Sequence, residues 1–190
     1  HSTSRRQRQM CIRDRYNVQS SEKEKFDGVM LDIEPYISDS WKENPEEYMD
    51  RYISCMKKGY KFAQKNHLRT AICIPRHYDN QGLTSGLEEL IKETCDEVAV
   101  MNYSCGNEIE AIRTEAALSE KYGKELHCIL EFQEVGKHGL TENKTYRNKG
   151  IDNAKETWEK LQKEYKNINV TRDYHWSRPV REMLEEKNAD

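Results

Sequence analysis

From Tyr16 onward the hydrophobic positions follow two alternating rhythms. Short apolar runs bounded by Gly or Pro read as strands, and longer stretches with apolar residues every three or four positions read as helices. "KFDGVMLDIEP" predicts the first strand. "DSWKENPEEYMDRYISCMKKGYKFAQKNH" carries Tyr48, Tyr52, Cys55, Met56, Gly59, Phe62 and Ala63 at helical spacing, with Asn44 and Pro45 marking a helix start. "LRTAICIP" predicts the second strand, stopped by Pro75. "LTSGLEELIKET" predicts a helix with Leu87, Leu90 and Ile91 on one face. "DEVAVMNYS" is the third strand, and "NEIEAIRTEAALSEKYG" is a helix ending at Gly123. "ELHCILEFQEV" is the fourth strand, and "GIDNAKETWEKLQKEYK" a helix striped by Ile151, Ala154, Trp158, Leu161 and Tyr165. "INVTRDYHWS" is the fifth strand, and "PVREMLEEKN" a closing helical segment.

Strands alternating with helices imply parallel β/α units. Two α/β architectures compete: an open doubly wound sheet, and part of a (β/α)8 TIM barrel. No Gly-rich phosphate fingerprint follows any strand. The polar residues favour the barrel. Asp32 and Glu34, Arg76 and His77, Asn102 and Tyr103, Glu131 and Glu134, and His175 and Trp176 fall at or near the C-terminal ends of strands, the rim on which barrel active sites are built. The expected fold is therefore an incomplete barrel of about five parallel β/α units. Such an arc has two unpaired edges, and on its own it is expected to be poorly soluble and inactive.

Composition changes the picture mainly at the N-terminus. The chain has 190 residues and a net charge of -3, with charged residues at 34% and hydrophobic ones at 35%. The mean hydropathy of -1.06 is polar, but the apolar stripes argue against disorder. No apolar run approaches the roughly 20 residues of a membrane span. "RRQRQMCIRDR", residues 5–15, is basic and aperiodic. Reverse-translated, it resembles a transposase adapter from sequencing-library preparation read through in frame, so residues 1–15 are set apart as a non-native tail and 16–190 as the domain. Without the tail's five Arg and one Asp, 26 basic side chains face 33 acidic ones, a net charge of -7. An acidic domain of this kind is not expected to bind nucleic acid. The six Cys have no paired spacing and no zinc-type cluster with His, so neither a metal nor a cofactor is expected. Nothing in the pattern assigns a cellular location.

The chemistry concentrates in "FDGVMLDIEPY". Alternate residues of a strand share a face, so Gly28, Met30, Asp32 and Glu34 point one way while Val29, Leu31 and Ile33 point toward the helices. The two acids stand ~7 Å apart at their Cα atoms. Each raises the other's pKa, and a Glu kept protonated near neutral pH suits a general acid acting on a glycosidic oxygen. The structural alternative is an ion pair with Arg76 or a nearby Lys. Tyr103 and Trp176 have core aromatic roles as alternatives, and Arg76 and His77 a solvated loop. Glu131 is a mid-strand acid with a site-facing role open to it, and His127 reads as a satisfied core histidine.

"DGVMLDIE" resembles the fourth-strand signature of glycoside hydrolase family 18, the chitinase-like barrels, written D-G-x-D-x-D-x-E. Asp27, Gly28, Asp32 and Glu34 match, and Met30 stands where the family has an acid. "VMNYS" is similar to the family's sixth-strand M-x-Y-D, with Ser104 in place of the Asp, and "HWS" to the eighth-strand segment whose Trp floors the sugar site. The resemblance places the five strands as strands four to eight and covers residues 26–178. It implies a glycosidase acting on an N-acetylhexosamine-containing polysaccharide, with no cofactor. Glu34 would be the general acid/base, Asp32 would orient the 2-acetamido group that serves as internal nucleophile, and Tyr103 would hydrogen-bond that group. Trp176 would stack on the sugar, with Asp27, Asn102, Glu131 and Arg76 as further substrate-binding candidates. Two other readings stay open: a muramidase-like family 25 barrel, which also carries D-x-E on a strand, and a non-catalytic carbohydrate-binding barrel.

Overall fold

The computed structural model describes residues 16–187, so the adapter-like run of 5–15 lies outside the described residues. The strands are β1 (Gly28–Asp32), β2 (Arg69–Pro75), β3 (Glu97–Met101), β4 (Glu125–Glu131) and β5 (Val170–His175). They form one parallel sheet in the order β1-β2-β3-β4-β5. Helices α1 (Asp39–Glu43) and α2 (Pro45–Lys65) follow β1, and α3 (Thr84–Thr94) follows β2. Then α4 (Glu108–Ala111) and α5 (Arg113–Tyr122) follow β3, α6 (Ile151–Glu164) follows β4 and α7 (Ser177–Lys187) follows β5. A doubly wound sheet reverses direction at a switch point. The order among the described residues has none, which is consistent with part of an α/β barrel. Among the described residues, β1 and β5 each pair on one side only.

One face of the sheet carries the helices. Ile72, Ile74, Val98, Val100, Leu126 and Leu130 are all fully buried there, together with Leu87, Leu90 and Ile91 of α3 and Leu161 of α6. At about 1.5–3 kcal/mol for each large apolar side chain removed from water, this layer dominates the stability. The helix-free face holds smaller residues. Cys73, Ala99 and Ile129 form a separate cluster there, against which Met101 and Tyr103 pack. At the N-terminal end of the same face runs a chain of charges. Arg69 Nη2 lies 2.9 Å from both Glu97 and Glu125, Glu97 meets His127 Nε2 at 2.8 Å, and His127 Nδ1 meets Asp173 at 2.9 Å. His127 is thus partnered at both ring nitrogens, in line with its reading as a satisfied histidine.

The helix predicted to start at Asn44 and Pro45 does start there, while the helix predicted as continuous after β3 is divided, each for a visible reason. Asn44 is extended (φ -148°, ψ 75°) because Pro45 excludes helical geometry from the residue before it, and Asn44 then caps α2 by accepting from the Glu47 amide. The helix predicted around residues 107–123 breaks at Ile112 (φ -126°, ψ 19°). There the Glu108 carbonyl accepts from Asn102 Nδ2 at 2.9 Å and the Ile109 carbonyl from Tyr165 Oη at 2.6 Å. Side chains from β3's end and α6's end have taken acceptors that an unbroken helix would give to its own amides.

Glu115 on α5 is fully buried, and neither carboxylate oxygen finds a partner beyond its own backbone among the described residues. Burial pushes its pKa up to about 7, with Asp79 adding and Arg76 opposing. The folded state therefore holds this proton more tightly than the unfolded chain. Its contribution is full below the ordinary pKa of 4.5 and is lost as pH rises through about 7. Denaturant melts of the full-length protein should show Glu115→Gln gaining on wild type between pH 4.5 and 8, with the pH-dependent gain approaching about 3 kcal/mol.

Candidate active site

The site grows from the alternation of β1. Val29 is 4% exposed against the helix layer, whereas Met30 and Asp32 stand on the opposite face. Asp32 ends the strand. Glu34 begins a 3-10 turn over Pro35–Ile37, and Tyr36 of that turn donates its hydroxyl to Glu34 Oε1. Tyr36 is braced edge-on by His77 at 5.3 Å and Tyr78 at 6.1 Å, and Tyr78 in turn lies 5.6 Å from Trp41. The loop after β2 is therefore not simply solvated. Tyr78 is fully buried, and His77 is half-buried, with burial first and Arg76 second lowering its pKa. Burial, the bond to Glu34 and the charges of Glu34 and Asp32 drive the Tyr36 phenol far above its usual range, so it stays a donor.

The opposite wall comes from β4 and β5, where Glu131 is in register with His175. Glu131 is 2% exposed. Its Oε1 accepts from the Phe132 and Gln133 amides at 2.8 Å each, and its Oε2 accepts from His175 Nδ1 at 2.9 Å and from Gln133 Nε2 at 3.3 Å. Burial would raise this carboxyl's pKa, but the bond to His175 and the two amides outweigh it and hold the group below its ordinary value. His175 moves the other way, raised chiefly by its bond to Glu131. Tyr103, beyond β3, has its ring 6.1 Å from that of His175, and burial followed by the charge of Glu131 raises its pKa. The peptide bond joining His175 to Trp176 is cis, and Trp176 is 44% exposed.

Asp32, Glu34, Tyr103, Glu131, His175 and Trp176 all open into one trough of about 930 Å³ at the C-terminal end of the helix-free face, floored by Cys73, Met101 and Ile129. Burial raises the pKa of Asp32, Glu34 raises it further, and His175 lowers it. Cys73, beneath Asp32, is pushed up to about 12 by burial and then by Asp32, so it is a poor nucleophile. The trough thus offers a carboxyl that resists ionisation, a fixed imidazole and an exposed aromatic platform.

No protein-family model matches the chain, and neither a curated protein nor a solved structure does. The chemistry of the trough is accordingly read from its own residues.

Three of the sequence candidates lie elsewhere. Asp27 sits before β1 at the far end of the sheet, in a separate hollow with Arg69 and Glu97. Arg76 does not line the trough; its charge acts on His77 and Glu115. Asn102 is 1% exposed and turns into the protein, with Nδ2 donating to the Glu108 carbonyl and lying 3.5 Å from Cys128 Sγ. Gln133 and Tyr36 were not among the candidates, and His175 was placed on the rim but given no role. Counting by twos along β4 and β5 puts Glu131 and His175 on the trough face, but pairing them requires the register between the strands. Glu97, Glu125 and His127 bring three metal-type donor atoms within 4.8 Å of one another, but Arg69 already sits on both carboxylates.

The placement of Asn102 predicts a structural role. Asn102→Ala should lower folding stability by about 1–3 kcal/mol in denaturant melts, through the unpaired Glu108 carbonyl and the lost side chain. The affinity of the folded protein for any ligand of the trough should be unchanged.

Proposed function

We propose that the trough is the catalytic wall of a glycoside hydrolase of family 18-like type, acting on an N-acetylhexosamine-containing polysaccharide. The observation that carries this reading is the convergence of Asp32, Glu34, Tyr103 and Trp176, from three different strand ends, on one trough. In this mechanism Glu34 gives its proton to the glycosidic oxygen as the bond to the anomeric carbon breaks. The oxygen of the substrate's own acetamido group attacks that carbon, while Asp32 accepts a hydrogen bond from the acetamido N–H and Tyr103 donates one to its oxygen. Water, deprotonated by Glu34, then opens the ring so formed, and the anomeric configuration is retained. Trp176 gives the sugar's apolar face a flat surface.

We also infer that the five units are part of a (β/α)8 barrel, from the fourth strand to the eighth. Support comes from their sequential order, the helices confined to one face, and the functional side chains gathered at the C-terminal rim.

Met30 favours a second reading, a carbohydrate-binding barrel without turnover. It lies on the trough face two residues before Asp32, where the family pattern has an acid, and is 47% exposed. Glu34→Gln in the full-length protein separates the two. Hydrolysis of N,N′,N″-triacetylchitotriose should fall by about 10²-fold or more while binding persists. Turnover that survives the substitution removes Glu34 as the acid, and binding with no turnover in wild type selects the binding barrel.

A further inference from the structure

The trough sets one fixed imidazole against the two acids of the β1 wall. Glu131 is buried and pinned by two backbone amides, and a buried carboxylate needs a partner of opposite charge or a full set of donors. His175 Nδ1 is that partner at 2.9 Å, with Gln133 Nε2 in support. This arrangement fixes one proton on Nδ1, so that in the charged ring the second proton sits on Nε2. The ring is held from a second side by Tyr103.

We propose that His175, fixed by Glu131, is a positioning residue of the trough: an imidazolium that supplies the counter-charge for Asp32. Its meaning for turnover rests on the reading of the β1 wall as catalytic; the electrostatic coupling does not. Family 18-like barrels place another acid beside Asp32, and here that position is Met30. A pair of carboxyls can share a proton, whereas a carboxyl facing an imidazolium is instead driven to ionise. The titratable and charged groups around His175 are Asp32 and Glu34 from β1 and its turn, Cys73 on β2, Tyr103 after β3 and Glu131 on β4. His138 and Lys144 of the loop after β4, and Arg172, Asp173 and Tyr174 on β5, complete those lining the trough. Asp173 is engaged by His127. Glu131 therefore contributes most to keeping His175 charged, with Asp32 and Glu34 adding to it. In return, His175 opposes the burial and the Glu34 charge that hold the Asp32 carboxyl up.

The test is a carboxyl-carbon NMR titration of the full-length protein, with the Asp32 signal assigned through Asp32→Asn. In His175→Gln the Asp32 midpoint should rise by about half a pH unit or more, because a neutral amide keeps the hydrogen bond to Glu131 and loses the charge. In Glu131→Gln the His175 ring-proton midpoint should fall toward the ordinary histidine value. An Asp32 midpoint unchanged in His175→Gln overturns the proposal. If Glu131→Gln does not fold, His175→Gln decides alone, since that side chain is 47% exposed and its removal spares the core. Where triacetylchitotriose is hydrolysed, the acid limb of the pH profile should move upward in His175→Gln. A protein that shows the NMR shift but no hydrolysis retains the counter-charge role and loses the glycosidase reading.

Discussion

The whole site depends on the two-residue alternation of β1. Val29 and Leu31 turn toward the helix layer, and this commits Met30 and Asp32 to the other face. A slip of one residue would drive Asp32 into an apolar layer and expose Val29 and Leu31, losing several kcal/mol of burial and adding the desolvation of a carboxylate. The parallel pairing of Asp32 with Cys73 locks that choice to β2, and the ladder carries it across to β5. The apolar layer on one side of the sheet thus aims the acids on the other.

The trough's electrostatics follow from unequal partnering. Glu131 has four donors and ionises readily, although it is nearly inaccessible. Asp32 is more open, yet burial first and the charge of Glu34 second raise its pKa, with His175 opposing them. The pKa values of two carboxyls on one surface are therefore shifted in opposite directions, a separation that acid–base chemistry exploits. The aromatic brace of Tyr36, His77, Tyr78 and Trp41 does for Glu34 in packing what the backbone amides do for Glu131 in hydrogen bonding.

Much of the fold was legible in the chain. Each of the five strands lies within its predicted run, since apolar runs between Gly and Pro report burial directly. Asn44 and Pro45 marked the start of α2 for a local reason. The break at Ile112 was not legible, because it is caused by Asn102 and Tyr165, which arrive from elsewhere in the chain. The same distinction holds in the site. Asp32 could be placed by counting along β1, whereas Glu34 lies past the strand's end, at the turn that Pro35 opens. Asp27, Arg76 and Asn102 were placed by proximity to strand ends or by motif, and neither says which way a side chain turns or which end of the strand it occupies. The Glu131–His175 pair spans 44 residues and exists only through the β4–β5 register.

The charge chain from Arg69 through Glu97 and His127 to Asp173 bears on how anything could occupy the helix-free face. It bridges β2, β3, β4 and β5 below the apolar cluster of Cys73, Ala99 and Ile129, filling that end of the face with mutually satisfied side chains. The foot of the face is thus held by paired charges, and the trough opens at the brim. Any ligand of the trough would therefore meet side chains free to engage it over the strand tips, and below them only side chains that already hold one another.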